Sequence, residues 1–421
     1  MSKIMSFRLN ELNSSIEGID NTGVFGISGN PENYHIAGIS DNPGLYIFGQ
    51  ILHYLFNLNS NQILDIYYFF FIGLGFLFYV LGIFLFTKIT HVRIVSILAV
   101  VFLTKFIVDI KDLYIMSYFS ASFILLLLST LKLKNIKIIL FIFFIVGFIL
   151  SISNITRMHS ATPVLIFFIT FLLFQIQNIY KKSLIIMFFL GGFYSFNLLF
   201  NSTIIETRNN FLSELNSRNT LESQHPFWHS IYIGLGYINN NTVAKYRDEI
   251  GFEKAKSINP EVIIYSKEYE DILKKETLKF IYENTNFFFY QLSVKIGIII
   301  TLMFTFMGLF GIYFLRSASY KDFIPFFMSI SFSILPGIMV IPVLQYLTGF
   351  ISMVIVGLIF YMNKFFQNNF IHVNNYINFN SFFIFGTFLS FLLTYIFSYA
   401  YILNTYHIFT YVAYIINKIL N

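Results

Sequence analysis

From Leu64 onward the chain is a succession of long apolar runs separated by short polar turns. The runs fall at Leu64 to Thr87, Val92 to Ile110, Leu113 to Leu131, Ile138 to Ser153, Pro163 to Gln177, Ser183 to Phe200, Val294 to Leu315, Phe323 to Ile341, Leu344 to Met362 and Ser381 to Leu403. A helix needs about 20 apolar residues to cross a ~30 Å hydrocarbon core, so the pattern predicts about ten spans. The runs are continuous where the strands of a membrane barrel would alternate between apolar and polar, and a helix satisfies all of its backbone groups internally. The expected fold is therefore all-α: a polytopic transmembrane helical bundle.

Two segments are too polar for the bilayer. One is the N-terminal stretch to about Asn42. The other runs from Asn201 to Asn286 and holds 12 of the 21 acidic residues. Its downstream half, Asn239 to Asn284, mixes charges at helical spacing and predicts two or three surface helices over the bundle. The resulting division is an external segment with an interfacial helix (1–58), a first bundle half (59–200), a large external loop domain (201–290), a second bundle half (291–403) and a C-terminal interfacial helix (404–421).

Composition sharpens this picture. Hydrophobic residues make up 56%, charged residues 11%, and mean hydropathy is +0.69; soluble domains carry roughly one quarter charged residues. A soluble, disordered or collagen-like chain is excluded. The absence of cysteine removes disulfides, thiolate metal sites and a Cys nucleophile. A formal charge of +6 spread over so apolar a chain points to a membrane partner and to no nucleic acid.

Basic residues in short loops stay on the cytoplasmic side. With residues 1–42 and 201–286 external, the cytoplasmic turns collect Lys88 and Arg93, Lys132, Lys134 and Lys137, Lys181 and Lys182, Arg316 and Lys321, and Lys364. Lys111 and Arg157 are the external exceptions, read either as anion ligands or as snorkelling side chains. An external N-terminus with no preceding span leads us to expect a first transmembrane helix upstream of this start, or else a tail translocated without a signal.

Candidate chemistry lies in the external parts. Asp41-Asn42-Pro43-Gly44-Leu45-Tyr46 leads into an amphipathic stretch, Ile47 to Leu58, that reads as an interfacial helix. Glu11, Glu17, Asp20 and Glu32 lie upstream, either as site acids or as ordinary surface carboxylates. Between the second and third runs, Asp109-Ile110-Lys111-Asp112-Leu113-Tyr114 puts charge beside hydrocarbon, where it faces a polar cavity or pairs internally. The next external turn, Asn154-Ile155-Thr156-Arg157-Met158-His159-Ser160, offers an Arg fork suited to phosphate and a His donor. Lys295 adds a third cation at the start of a later run.

In the large loop, His225-Pro226-Phe227-Trp228-His229-Ser230-Ile231-Tyr232-Ile233-Gly234-Leu235-Gly236-Tyr237 reads as an aromatic platform for a sugar or headgroup, or as packed loop core. His225 and His229 are four apart, but with no Cys or third His nearby they make a poor zinc site. A divalent metal remains compatible with the chain, although no dedicated ligand cluster is visible.

That run, together with Tyr269-Glu270-Asp271-Ile272-Leu273 and Lys295, resembles the large external loop of bacterial GT-C glycosyltransferases. These polytopic enzymes are related to protein O-mannosyltransferases and lipid A aminoarabinose transferases. The resemblance implies a cell-envelope enzyme of the cytoplasmic membrane, acting on its external face. It would move a hexose or pentose from a polyprenyl-phosphate donor to a glycan, lipid or protein acceptor. It also implies an external catalytic base. Asp41 resembles the acid before the family's Pro-rich turn, while Asp20, Glu17 and Glu11 compete for the second acid. Arg157 and His159 resemble the family's phosphate-contacting turn, and Asp112 with Tyr114 an acidic turn at the cavity mouth; Lys295 joins the phosphate set. His225, Trp228, His229 and Tyr232 are expected to contact substrate. Two features depart from the family: the usual first helix is missing, and the Arg-Tyr often found before a late span is Gln345-Tyr346 here.

The residue types fit the chemistry without the name. Transfer from a lipid phosphate needs a base for the acceptor and cations for the leaving phosphate. Neither a Gly-rich phosphate loop nor a βαβ pattern is present for a nucleotide donor. The rival readings are an external oligosaccharide polymerase or ligase and, from another class, a secondary transporter. A transporter would show repeated halves with paired broken helices; Pro336-Gly337 has no counterpart in the first half.

Overall fold

The computed structural model describes residues 3–38, 43–110, 112–215, 227–315, 318–369 and residue 386. Within these the protein is overwhelmingly helical, and its only sheet is a pair of two-residue strands.

The chain opens with α1 (Lys3–Thr22), continues through β1 (Ile27–Ser28) and β2 (His35–Ile36), and enters α2 (Pro43–Phe56). The strands pair antiparallel, Ile27 with Ile36 and Ser28 with His35. One buried side chain stitches this layer together: the Gln50 amide donates to the carbonyls of Ser15 (2.6 Å) and Ile27 (2.7 Å), and its oxygen accepts from the Gly26 N–H (2.7 Å). A Cβ at Gly18 would meet the Ile27 oxygen at 2.3 Å, so β1 can cross α1 at contact distance only over a glycine. The sequence pattern predicts no spanning helix before Asn42 and assigns no helix there. α1 forms because Leu12, Ser15 and Ile19 recur at helical spacing and bury one face.

The bundle follows: α3 (Ser60–Phe86), α4 (Thr90–Ile110), α5 (Ile115–Thr130), α6 (Ile136–Thr156), α7 (Thr162–Gln175) and α8 (Ile179–Phe200). Asparagines in the turns set several of the starts. Asn59 makes a capping box with Gln62, and Asn135 and Asn178 accept from the N–H groups of Lys137 and Lys181. After α8 a π-helical turn at Asn201–Ile205 carries the chain into α9 (Glu206–Glu214), past the expected loop start. The extension holds because Phe200, Ile204 and Ile205 pack with Ile47 and Ile51 of α2.

The expected large loop is a small cap with α10 (Phe227–Gly234), a 3-10 turn at Leu235–Tyr237, α11 (Asp248–Ile258) and α12 (Lys267–Glu283). Its own core includes Tyr232, Leu235, Val243, Val262, Tyr269 and Leu273. The bundle resumes with α13 (Thr285–Leu315), broken at Gly308 where φ is +64°, then α14 (Tyr320–Met339) and α15 (Thr348–Asn369).

Among the described residues seven helices are long and apolar enough to cross a membrane, and α5 and α7 are shorter apolar helices. The run at Ser381 to Leu403 and the expected C-terminal helix lie outside the described residues. α5 is buried almost throughout and α15 shares its core, while the other long helices have only 28–44% of their apolar stretches buried, as a lipid-facing ring requires. Lipid gives no hydrophobic drive for helices to associate, so close backbone approach matters. α6 and α8 achieve it reciprocally: a Cβ on Gly147 would lie 2.2 Å from the Phe189 oxygen, and one on Gly192 would lie 2.0 Å from the Phe144 oxygen.

The two ends of the bundle differ. At one, buried Asp322 accepts from Gln175 (2.7 Å), pairs with Lys364 and caps α14 through Ser319, while Lys132 donates to the Phe86 carbonyl (3.1 Å). The other end carries the turns at 112–114, 157–161 and 340–347, with the N-terminal layer and the cap against them.

Candidate functional site at the capped end of the bundle

Two turns position the central side chains. After α4, the N–H groups of Ile115 and Met116 donate to the carbonyls of Asp112 (3.2 Å) and Leu113 (3.0 Å), which places Asp112 and Tyr114 at the head of α5. After α6, the Arg157 N–H still closes the helix on the Ser153 carbonyl (3.0 Å), and the Ser160 N–H returns to the Arg157 carbonyl (3.1 Å). His159 takes a left-handed φ of +66° to allow that return. Ser153 fastens this turn to α5 through hydroxyl contacts with Ser120 (2.7 Å) and Ser160 (3.2 Å).

The turns meet through their side chains. The Arg157 guanidinium lies 4.3 Å over the Tyr114 ring and donates to its hydroxyl. The Tyr346 ring stands edge-on to Tyr114 at 5.1 Å, and its hydroxyl is 3.3 Å from that of Tyr246 in the cap. From the N-terminal layer, Arg8 approaches Asp112 at 3.5 Å and lies within electrostatic reach of Tyr46. Burial pushes the Tyr114 hydroxyl well above its ordinary range, against the pull of Arg157, and raises Tyr46 against the pull of Arg8. Both phenols are therefore neutral, and the Tyr114 oxygen accepts from Arg157.

Glu11, one turn beyond Arg8, accepts from the Gly38 N–H (3.1 Å) and the Ser28 hydroxyl (3.4 Å) and faces the His35 ring at 3.7 Å. Burial alone would raise its carboxyl, but the hydrogen bonds from His35 and Gly38 outweigh burial and hold it below the usual carboxylate value. His35 is correspondingly raised, chiefly by its bond to Glu11.

The residues singled out from sequence thus separate into groups. Asp112, Tyr114 and Arg157 come together. His159 is on the same turn but exposed. Lys295, 2% exposed, donates to the carbonyls of Gly234 (3.1 Å) and Val340 (2.7 Å), while Gln291 one turn earlier holds Gly234 (3.0 Å) and Leu235 (2.9 Å). This pair pins the cap to α13.

Asp20 pairs with His53 at 3.1 Å, and its side chain is 59% exposed. Twelve residues of helix place it about 18 Å along α1 from Arg8. Glu17 is exposed on α1. Neither acid is brought to the turns. Asp41 and His225 lie outside the described residues.

In the cap, Glu270 accepts from the N–H groups of Trp228 (2.6 Å) and His229 (3.1 Å), a carboxylate cap on the start of α10. His229 is buried, stacked on Phe252 at 5.3 Å, with Nδ1 2.5 Å from the Tyr269 hydroxyl and Nε2 3.1 Å from Asp248. Tyr232 is buried as well, which raises its hydroxyl to about 12. His229 and Tyr232 therefore serve the cap's core, the packed reading of that run. Trp228 is half-buried under Lys274, whose ammonium lies 5.7 Å from its ring. Among the described residues no three His, Cys, Asp or Glu side chains gather to hold a metal ion.

Sequence reasoning missed Arg8, Tyr46 and Tyr246, and saw Tyr346 only as a departure from the family pattern. The available signal was the spacing of Arg8, Glu11 and Ser15 on one face of a helix that was not expected. No family model, curated protein or solved structure matches the chain.

Proposed function

We propose that the protein is a membrane glycosyltransferase that moves a sugar from a polyprenyl-phosphate donor to an acceptor at the capped end of the bundle, which the charge register makes the external face. One observation carries the reading: Asp112, Tyr114 and Arg157, taken from separate apolar boundaries of the sequence for their chemistry, converge on one site with Arg8 between the bundle and its cap.

In this reading Arg157 supplies charge-assisted donors to the leaving phosphate, and neutral Tyr114 holds the guanidinium flat in position. Asp112 acts on substrate hydroxyls. Asp41, on the family resemblance, takes the acceptor proton. Glu11 ties the β1–β2 layer to α1 and keeps Arg8 in place. Lys295 acts at a distance by seating the cap.

The test is mass spectrometry of envelope glycans and glycolipids from cells with and without the gene. A sugar lost from one glycan or glycolipid without the gene, and restored by the wild-type gene, supports the reading. Identical profiles refute it.

A further inference from the structure

Arg8 and Asp112 form an ion pair that is left open. Their closest approach is 3.5 Å, longer than a charge-assisted bond of about 2.7 to 2.9 Å. Both side chains are nearly buried, 14% exposed at Arg8 and 6% at Asp112. Among the described residues two of their atoms have no hydrogen-bond partner: Nε of Arg8, a donor, and Oδ1 of Asp112, an acceptor. Buried polar atoms are ordinarily satisfied, and each one left over costs about 1 to 3 kcal/mol. An apposed guanidinium and carboxylate could close that gap and have not done so. Tyr46, within electrostatic reach of Arg8, and Tyr114, within reach of Asp112, place aromatic rings near the pair.

An unfilled donor beside an unfilled acceptor complements a group that both accepts and donates. A hydroxyl does so, and two neighbouring hydroxyls on a sugar ring do so twice, with the apolar ring face left for an aromatic. A phosphate would satisfy the arginine but be repelled by the aspartate, and an ammonium the reverse. We propose that Arg8 and Asp112 grip adjacent hydroxyls of a sugar, the guanidinium donating to one oxygen and the carboxylate accepting from the other hydroxyl. The pair is then the sugar-recognition element of the site, separate from the phosphate-binding arginine Arg157. This deepens the glycosyltransferase reading and rests on it for the identity of the bound sugar.

The experiment uses the full chain in detergent micelles and saturation-transfer NMR titrations with a panel of methyl glycosides, alongside titration with a short-chain polyprenyl phosphate. Wild type should bind at least one glycoside. Arg8→Gln and Asp112→Asn should each weaken it roughly tenfold or more, as loss of a charge-assisted bond does, and leave polyprenyl-phosphate affinity within about twofold. Titrating wild type with singly deoxygenated versions of that glycoside needs no variant to fold. Two adjacent positions should account for the loss. No glycoside binding by wild type, glycoside binding unchanged in Asp112→Asn, or uniform tolerance of deoxygenation would each overturn the proposal. Polyprenyl-phosphate binding without sugar binding defeats this inference alone. Sugar binding without polyprenyl-phosphate binding defeats the lipid-donor reading and leaves this inference standing.

Discussion

Arg157 offers the sharpest separation of roles, because its contacts with Tyr114 can be removed one at a time. Tyr114→Phe keeps the ring 4.3 Å beneath the guanidinium and deletes only the hydroxyl that accepts from it. Stacking and charge survive, so the loss is one hydrogen bond that orients Arg157, about 1 kcal/mol, or roughly fivefold in kcat/KM for the lipid donor. Arg157→Lys keeps the charge but forfeits the flat fork over the ring and falls between that variant and alanine. Arg157→Ala removes the proposed phosphate contact and strands the buried Tyr114 hydroxyl; at about 1.5 to 3 kcal/mol for a charge-assisted bond, the expected loss is roughly ten- to hundredfold. The assay is turnover of a synthetic polyprenyl-phosphate sugar across donor concentrations, with near-wild-type thermal unfolding required of each variant. The order wild type, Tyr114→Phe, Arg157→Lys, Arg157→Ala is the prediction. Equal kcat/KM for wild type and Arg157→Ala would show that the side chain merely snorkels at the interface.

Other expectations follow from packing and charge. Gly192→Ala should lower the unfolding temperature in detergent, since the added methyl would lie 2.0 Å from the Phe144 oxygen and overpacking costs about 1 to 3 kcal/mol, whereas its neighbour Gly191→Ala meets nothing within 4 Å and should be neutral. Equal effects of the two would discredit the α6–α8 crossing. Lys295→Met should loosen the cap, leaving the Val340 carbonyl without this donor, and so speed proteolysis between α11 and α12; an unchanged cleavage rate argues against the pinning role. For Glu11 and His35 the signs are opposite. Glu11 is lowered from 4.5, so its contribution is present above that value and fades as pH falls through the folded one. His35 is raised from 6.5, so its contribution is full below 6.5 and fades as pH rises through the folded value. The tie is strongest between these values, and the Gly38 amide that Glu11 accepts from should show its highest exchange protection there. A flat protection profile from acid to mildly alkaline pH, or no change in Glu11→Gln, contradicts it.

What could be read from the sequence was governed by length and period. Apolar runs of 15 residues or more announced the helices of the bundle, because lipid imposes such lengths regardless of neighbours. The mixed charges of the loop announced α11 and α12. α1 was missed because its buried face is narrow and interrupted by Ser15, and its partners, Gln50 and β1, are brought to it by tertiary folding. The same gap hid Arg8, since nothing in the residues near it marks Asp112 as its partner 104 positions later. Asp112, Tyr114 and Arg157 were legible because charge at an apolar boundary is costly wherever it occurs. His229 stayed open to two readings for the opposite reason: in a run rich in aromatics and glycine, a histidine held by Tyr269 and Asp248 has the same sequence signature as one facing substrate.

The central claim is tested most directly by incubating the purified full chain with synthetic polyprenyl-phosphate sugars and a membrane extract as acceptor, and measuring released polyprenyl phosphate. The account predicts release that depends on the acceptor extract and falls roughly ten- to hundredfold in Arg157→Ala. No release above the protein-free control with any hexose or pentose donor, or release indifferent to Arg157, would contradict it.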